Sequence, residues 1–386
     1  MNLMSFLNVK KIVKEKILIL FEGTHLAYAP TVIQLYDALS EKYDVLIIAE
    51  MEQLFSAQEL SGRNVRYYNY KKKKYDFIYK PYYTLLSHIS KPEKVLKNKG
   101  FKMRVYANRF LLIKRLLRAN KYKRIIAVDV KNLFFCSLLN KRCDFLSLEL
   151  TYEEFLPFVN TDLINCVIIQ TMERYDYLFR TKVKNIFLVQ NAPTFKEITQ
   201  PSSKKGLLYG GTASDAFGFY QCLEYLSIYK DETLTVQGAV PYRDKEIIHK
   251  QYSSLINDRR LIINNSYLDN DDVVKYFSHF QIGFCFYNFD VDTVDHFNYR
   301  SAPSGKLFKY LAAGVPVICS DIVGFKFIKE FDCGILIEDI SPASINTAVQ
   351  SLRANYNSYA RNTIVAAKYF SFDNAVKPYL EFIESN

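Results

Sequence analysis

The sequence predicts an α/β protein of two tandem halves, each a parallel β-sheet wrapped by helices. Three observations carry this expectation. Short apolar runs alternate with amphipathic stretches along nearly the whole chain, the pattern of βαβ units. The alternation pauses once, where residues 193–205 (PTFKEITQPSSKK) are polar and hold two prolines, and then restarts. A length of 386 residues suits two domains better than one, and 49% hydrophobic residues can fill two cores.

Taken in order, Lys16 to Phe21 (KILILF) reads as a buried strand. Thr31 to Leu39 sets Val32, Leu35, Tyr36 and Leu39 at helical spacing. Strands follow at Asp44 to Ala49 and, more weakly, Val65 to Tyr70, then a long basic helix over Lys102 to Asn120. Arg124 to Val130, Phe145 to Leu150, Val167 to Gln170 and Ile186 to Val189 complete the strands of the first half. The second half opens with a strand at Gly206 to Tyr209, the Gly210-Gly211-Thr212 turn and a helix from about Asp215. Its further strands are Thr233 to Gln237, Leu261 to Ile263, Ile282 to Tyr287, Val315 to Ser320 and Gly334 to Ile337. Phe370 to Glu384 reads as a closing amphipathic helix opened by Ser371. The expected domains are 1–195 and 196–370, with 371–386 packing back on the first. Ligands of such sheets bind at the carboxyl ends of the strands, so two halves should share a site in the cleft between them.

Charge is distributed unevenly. Residues 1–200 hold 33 Lys and Arg against 19 Asp and Glu, whereas residues 201–386 hold 18 against 21. Within 61–124 there are 20 basic residues and only Asp76 and Glu93, interleaved with tyrosines such as Tyr67, Tyr70, Tyr79 and Tyr82. Such a stretch suits an anionic lipid surface, a merely solvated face or nucleic acid. Nothing similar to a helix-turn-helix or an RNA-binding motif accompanies it, which ranks nucleic acid last.

Seven cysteines, none in a C-x-x-C pair and most in apolar runs, read as buried thiols of a reducing compartment. No histidine pair has metal-ligand spacing. No apolar run approaches the roughly 20 residues of a spanning helix. Met1 to Lys16 lacks the apolar core of a signal peptide and reads as an amphipathic surface anchor or a frayed leader.

The chemistry concentrates in 299–320 (YRSAPSGKLFKYLAAGVPVICS). Pro303-Ser304-Gly305 is a turn that opens a helix, with Ser304 at the N-cap. Leu307, Tyr310 and Leu311 give the helix an apolar face, and Ala312-Ala313-Gly314 ends it. A glycine at a helix start lets backbone N–H groups approach an anion, which the helix dipole also favours. Lys306 and Arg300 add full positive charge, enough to hold a diphosphate without a metal. The same residues would equally serve an ordinary helix–strand unit, and the residues alone leave both readings open.

The segment resembles the donor-site signature of GT-B glycosyltransferases, in particular family 4 and related bacterial polysaccharide enzymes. The match runs through Pro303, Gly305, Lys306, Leu307, Phe308, Tyr310, Leu311, Ala312, Ala313, Gly314, Pro316, Val317 and Ile318. Asp272 to Phe286 resembles the helix and strand that precede this signature, Leu208 to Thr212 (LYGGT) the glycine turn opening the C-terminal domain, and Val189 to Pro193 (VQNAP) the end of the N-terminal one. The likeness is in motifs over roughly 186–338 and in architecture alone over 16–185. The family places Glu where this chain has Lys309, and a second acidic residue where it has Ser301.

The resemblance implies a GT-B fold, with two Rossmann-like parallel-sheet domains facing a central cleft. It further implies an N-terminal acceptor-side domain over 1–195 and a C-terminal nucleotide-sugar-binding domain over 196–370. It implies a retaining, metal-independent sugar transfer without a cofactor, from a UDP- or GDP-sugar to a lipid-linked or growing glycan. Donor-site candidates are Gly210, Gly211, Thr212, Arg300, Ser304, Gly305, Lys306, Leu307 and Lys309. Catalytic candidates are Glu22 and His25, after the first strand, and Glu149, at a strand end. The expected location is cytoplasmic, at the inner face of the cell membrane, with the basic half on anionic lipid. The rival readings are a catalytically silent nucleotide-sugar-binding scaffold, a nucleotide-sugar epimerase and a nucleic-acid-binding protein.

Overall fold

The computed structural model describes residues 14–21, 26, 29–50, 60–68, 109–151, 153–179, 183–266, 268, 270–291 and 297–386. The chain divides into two compact units, 1–146 with 151–167 and 147–150 with 168–386. Most of the basic stretch, including Lys71 to Lys74, and the candidates Glu22 and His25 lie outside the described residues.

The first sheet has seven strands: β1 (Lys16–Leu20), β2 (Asp44–Glu50), β3 (Val65–Tyr68), β4 (Arg124–Val128), β5 (Cys143–Leu146), β6 (Ile164–Ile169) and β7 (Ile186–Leu188). They lie in the order β3-β2-β1-β4-β5-β6-β7. Parallel registers such as Ile17↔Val45 and Ile19↔Ile126 align continuous apolar runs, as in a sheet covered on both faces. Helices α1 (Pro30–Ser40), α2 (residues 109–119) and α3 (Asp129–Leu138) belong to this part of the chain. Helix α2 buries Arg109, Ile113 and Leu116, spaced one turn apart, and exposes Arg115 and Arg118.

Strand β4 ends two residues sooner than its apolar run suggests. Asp129 takes φ +59° and turns the chain directly into α3. Asn132 then clamps the strand ends, its Nδ2 donating to the carbonyls of Leu20 (2.9 Å) and Val128 (2.6 Å). Arg109 completes the clamp, donating to Phe21 O (2.7 Å) and Asn132 Oδ1 (2.9 Å).

The second sheet has six strands: β8 (Leu207–Gly210), β9 (Leu234–Gln237), β10 (Leu261–Asn264), β11 (Ile282–Cys285), β12 (Val317–Ser320) and β13 (Gly334–Ile337). Their order is β10-β9-β8-β11-β12-β13, so the order reverses between β8 and β11. Side chains alternate between two cores. Leu207, Phe284 and Ile318 face one that includes α5 (Phe219–Ile228) and α12 (Pro342–Ala354). Leu208, Cys285, Val317 and Cys319 face another, filled by α8 (Asn270–Phe277), α10 (Gly305–Ala312) and α13 (Tyr356–Phe370). Each fully buried Leu, Ile, Val or Phe in these layers contributes about 1.5–3 kcal/mol.

The remaining helices are α4 (Met172–Leu178), α6 (Tyr242–Gln251), α7 (Ser253–Asn257), α9 (Phe297–Ser301), α11 (Phe327–Glu330), α14 (Phe372–Ala375) and α15 (Lys377–Ser385). The C-terminal segment is thus two helices rather than one. Pro378 has no N–H to give to a preceding turn, so the chain restarts there. Ser371 stands at the start of α14, but its hydroxyl bonds back to Lys368 O (3.0 Å) and does not cap. Tyr379 and Phe382 of α15 pack on Phe187 of β7, with ring centroids 5.6 and 5.4 Å apart. All seven cysteines are buried free thiols, as their apolar settings predict.

Candidate functional site

In open α/β sheets ligands bind at the carboxyl ends of the strands, where the strand order reverses. In the second sheet that point lies at the ends of β8 and β11, and α10 starts beside it. Helix α10 forms because Leu307, Phe308, Tyr310, Leu311 and Ala312 recur on a face that the core buries completely or nearly so. Gly314, at φ +67°, ends it, and Val315 N–H bonds back to Tyr310 O (3.0 Å). The ammonium of Lys204 donates to Gly314 O (2.7 Å), a cation at the negative end of the helix. Burial pushes the Lys204 pKa down to about 8.

The other end of α10 departs from expectation. Ser304 occupies the N-cap position, but its hydroxyl makes no capping bond. It lies within hydrogen-bonding reach of the Cys285 thiol and the Tyr287 phenol, below the helix end. Among the described residues nothing accepts from the amides of Gly305 and Lys306, and the first turn holds no acidic residue. The helix therefore presents two N–H groups and its positive dipole end to a ligand.

The glycine turn faces this end. Gly210 N–H donates to Tyr310 Oη (2.6 Å), and that hydroxyl in turn donates to Phe284 O (3.2 Å). Tyr310 thereby bolts α10 to both strands at the reversal point. Its ring lies on Gly283, where a Cβ would sit only 2.9 Å from ring carbons. Gly211 has φ +95° and crosses Gly238 so closely that a Cβ on Gly238 would lie 2.1 Å from Gly211 O. Tyr209 supports the turn from below, its hydroxyl donating to Phe217 O (2.8 Å) with Thr212 O 3.2 Å away. The exit of β11 is tied to the same turn, with Asn288 Nδ2 donating to Asp215 Oδ1 (2.9 Å).

Two cations are held by aromatic rings. Lys306 Nζ sits 4.9 Å from the Tyr209 ring centre and 5.7 Å from that of Phe217. No carboxylate pairs with it among the described residues. Burial pushes the thiols of Cys222 and Cys319 up, keeping them protonated, and the Lys306 charge opposes this only in part. The Arg300 guanidinium lies 4.1 Å from the centre of Phe289. Cation–π support fixes each side chain without removing its positive charge.

The structure thus gathers Gly210, Gly211, Ser304, Gly305 and Lys306 around one end of α10, with Thr212 exposed on the turn. The Leu307 side chain is fully buried in the core and can offer a ligand only its backbone. Lys309, one turn beyond Gly305, is largely buried, which lowers its pKa, and meets no carboxylate among the described residues. Ser301 is buried and spends its hydroxyl on Phe297 O (2.6 Å).

Of the catalytic candidates, Glu149 is described and exposed. Its Oε2 accepts from Asn298 Nδ2 (2.8 Å), and its charge helps burial to push the Tyr287 phenol up. The roles of Asn298 and Asn288 had no sequence signal beyond their chemical type, and that of the Tyr310 hydroxyl none beyond its place in the signature. The run FDVDTVD, whose three aspartates lack the glycine and terminal glutamate of a calcium loop, has Asp290 exposed, while Asp292 and Asp295 lie outside the described residues. No group of three or more His, Cys, Asp or Glu that could hold a metal occurs among the described residues.

No protein-family model matches this sequence, and no curated protein sequence matches it. Solved structures do. A glycosyltransferase from Rickettsia africae ESF-5 is 13% identical, with a TM-score of 0.67 over 96% of this chain and 98% of its own. Sucrose-phosphate synthase from Thermosynechococcus elongatus is 14% identical, with a TM-score of 0.65 over 97% and 100%. Anabaena HepE in complex with UDP is 12% identical, with a TM-score of 0.65 over 96% and 100%. At this identity the likeness speaks for the fold alone. With its two parallel α/β sheets and full-length structural neighbours of this kind, the chain has the GT-B fold.

Proposed function

We propose that this protein is a glycosyltransferase that takes a sugar from a nucleotide-sugar donor and passes it to a lipid-linked or growing glycan. The observation that carries the reading is the open start of α10. Its two uncapped amides, Lys306 and the glycine turn make a cradle suited to a nucleoside diphosphate. The UDP bound in the HepE structure supports a UDP-sugar donor. As the sugar leaves, negative charge grows on the diphosphate, and preorganised N–H groups and cations favour that charge. Retention of configuration and independence of metal are part of the proposal. So is the division of the chain into a 1–195 acceptor side and a 196–370 donor side, with 371–386 returning to the first.

We also propose a place at the inner face of the membrane. No described helix is long and apolar enough to cross one. Lys114, Arg115 and Arg118 of α2, around Leu111 and Ala119, offer a basic surface with some apolar character, as peripheral binding to anionic lipid needs.

The test is incubation with UDP- and GDP-sugars, with and without a lipid-linked glycan and with and without EDTA. The expected result is acceptor-dependent release of nucleoside diphosphate that EDTA does not abolish. Interconversion of the donor sugar without acceptor would make the protein an epimerase. Binding without any turnover would make it a scaffold.

A further inference from the structure

Asn298 is the second residue of α9, between Phe297, which stacks on Tyr177 of α4 at 4.4 Å, and the helix end that carries Arg300. Its Oδ1 accepts from Leu150 N–H (3.0 Å) and from the Arg174 guanidinium. Arg174 is fully buried and also donates to Leu148 O (2.8 Å) and to Gln170 Oε1. These two donors fix which way the amide of Asn298 points, because a flip would aim its NH2 at two N–H groups. The NH2 must therefore face Glu149, and it donates to Glu149 Oε2 at 2.8 Å. One side chain thus ties the Glu149 segment, α4 and the short helix bearing Arg300 into a single hydrogen-bonded unit.

We propose that Asn298 is a positioning residue that orients the Glu149 carboxylate toward the transferred sugar. The inference rests on the transferase reading above. In that reaction the bond from the anomeric carbon to the diphosphate oxygen breaks, and its electron pair leaves with the nucleotide. The acceptor oxygen bonds to the anomeric carbon, and its proton goes to the departing diphosphate. Glu149 transfers no proton in this step, and its carboxylate stabilises the positive charge that develops on the sugar. The Tyr287 phenol, just past β11, feels the Glu149 charge, and the Arg174 guanidinium of α4 meets the opposite end of the Asn298 amide.

The test exchanges donor and acceptor. Asn298→Asp keeps the oxygen that accepts from Leu150 and Arg174 but turns a second oxygen toward Glu149. Two carboxylates at that distance share a proton, so the acid limb of the pH–rate profile should move up by about one unit, a tenfold loss on that limb. Combining Asn298→Asp with Glu149→Gln restores the hydrogen bond with its direction reversed. The double variant should regain the wild-type melting temperature and nucleoside-diphosphate affinity. Its turnover should stay about 100-fold or more below wild type, the scale of losing one charge-stabilising group. Recovery of turnover in the double variant would overturn the inference, because the bond and not the charge would then matter. A pH profile of Asn298→Asp that coincides with wild type would overturn it too. A wild-type protein that binds nucleoside diphosphate yet neither transfers nor hydrolyses any donor would overturn the transferase reading, and this inference with it. Failure of this inference alone would be seen in an active wild type.

Discussion

Replacing Tyr310 by Phe removes one oxygen and nothing else from the core of the second sheet. That oxygen accepts from Gly210 N–H at 2.6 Å and donates to Phe284 O at 3.2 Å. Burial raises the pKa of the Tyr310 phenol well above the ordinary value, so the hydroxyl keeps its proton across any practical pH. Without it, the buried Gly210 amide has no acceptor in its place. Leaving a buried donor unsatisfied costs about 1–3 kcal/mol. For a unit of about 200 residues each kcal/mol lowers the melting temperature by about 2–4 °C, so the variant should melt about 2–12 °C lower. Thermal unfolding followed by circular dichroism reads this directly, and nucleoside-diphosphate affinity should fall with it because the turn at Gly210-Gly211 loses its anchor. An unchanged melting temperature would refute the reasoning, since it would mean that Tyr310 holds the turn by shape alone.

Three further outcomes follow from the same region and its surroundings. Gly283→Ala forces a methyl to within 2.9 Å of the Tyr310 ring and should destabilise by about 1–3 kcal/mol, read by urea denaturation. Lys204 has a folded pKa of about 8 against an ordinary 10.5, so between those values the unfolded chain binds more protons and stability rises with pH. Lys204→Met should flatten that rise in pH-dependent melting curves without abolishing it, because Lys131 is lowered to about 8 by burial too. Arg353 forks onto the nearly buried Glu232 and also donates to Gln281 (3.0 Å). Arg353→Leu should cost toward the lower end of about 3–5 kcal/mol, because the arginine is partly solvated.

The fold was legible because its elements are written in local patterns. The run KILILF can only be a doubly covered strand, and Val32, Leu35, Tyr36 and Leu39 can only meet a core from a helix. The helix at Gly305 was legible for the same reason, and Gly314 ends it with the positive φ its position requires. What the sequence concealed depends on partners far along the chain. Ser304 has the chemistry of an N-cap, yet its hydroxyl makes no capping bond and sits near Cys285 and Tyr287, which β11 brings to the helix start. Asp129 continues an apolar run in sequence but takes a left-handed backbone, at the strand end that Asn132 and Arg109 pin in place. Asn298 carries no motif at all, and its meaning comes from Arg174, which lies 124 positions away. Lys309 was conspicuous in the sequence as a departure from the family pattern. The structure adds that it is largely buried and that Ser301, the other departure, turns inward.

The most direct test of the central claim is calorimetric titration of nucleoside diphosphates into the wild type and into Lys306→Ala. The account predicts that UDP or GDP binds the wild type. Removing a charged hydrogen-bond donor worth about 1.5–3 kcal/mol should then weaken binding by about 10- to 150-fold. Lys306 makes no ion pair with a described residue and the variant loses only its cation–π contacts with Tyr209 and Phe217, about 0.5–2 kcal/mol, so the unliganded variant should melt only about 1–8 °C lower. Equal affinity in the two proteins, or no binding by a folded wild type, would contradict the assignment of the start of α10 as a diphosphate cradle.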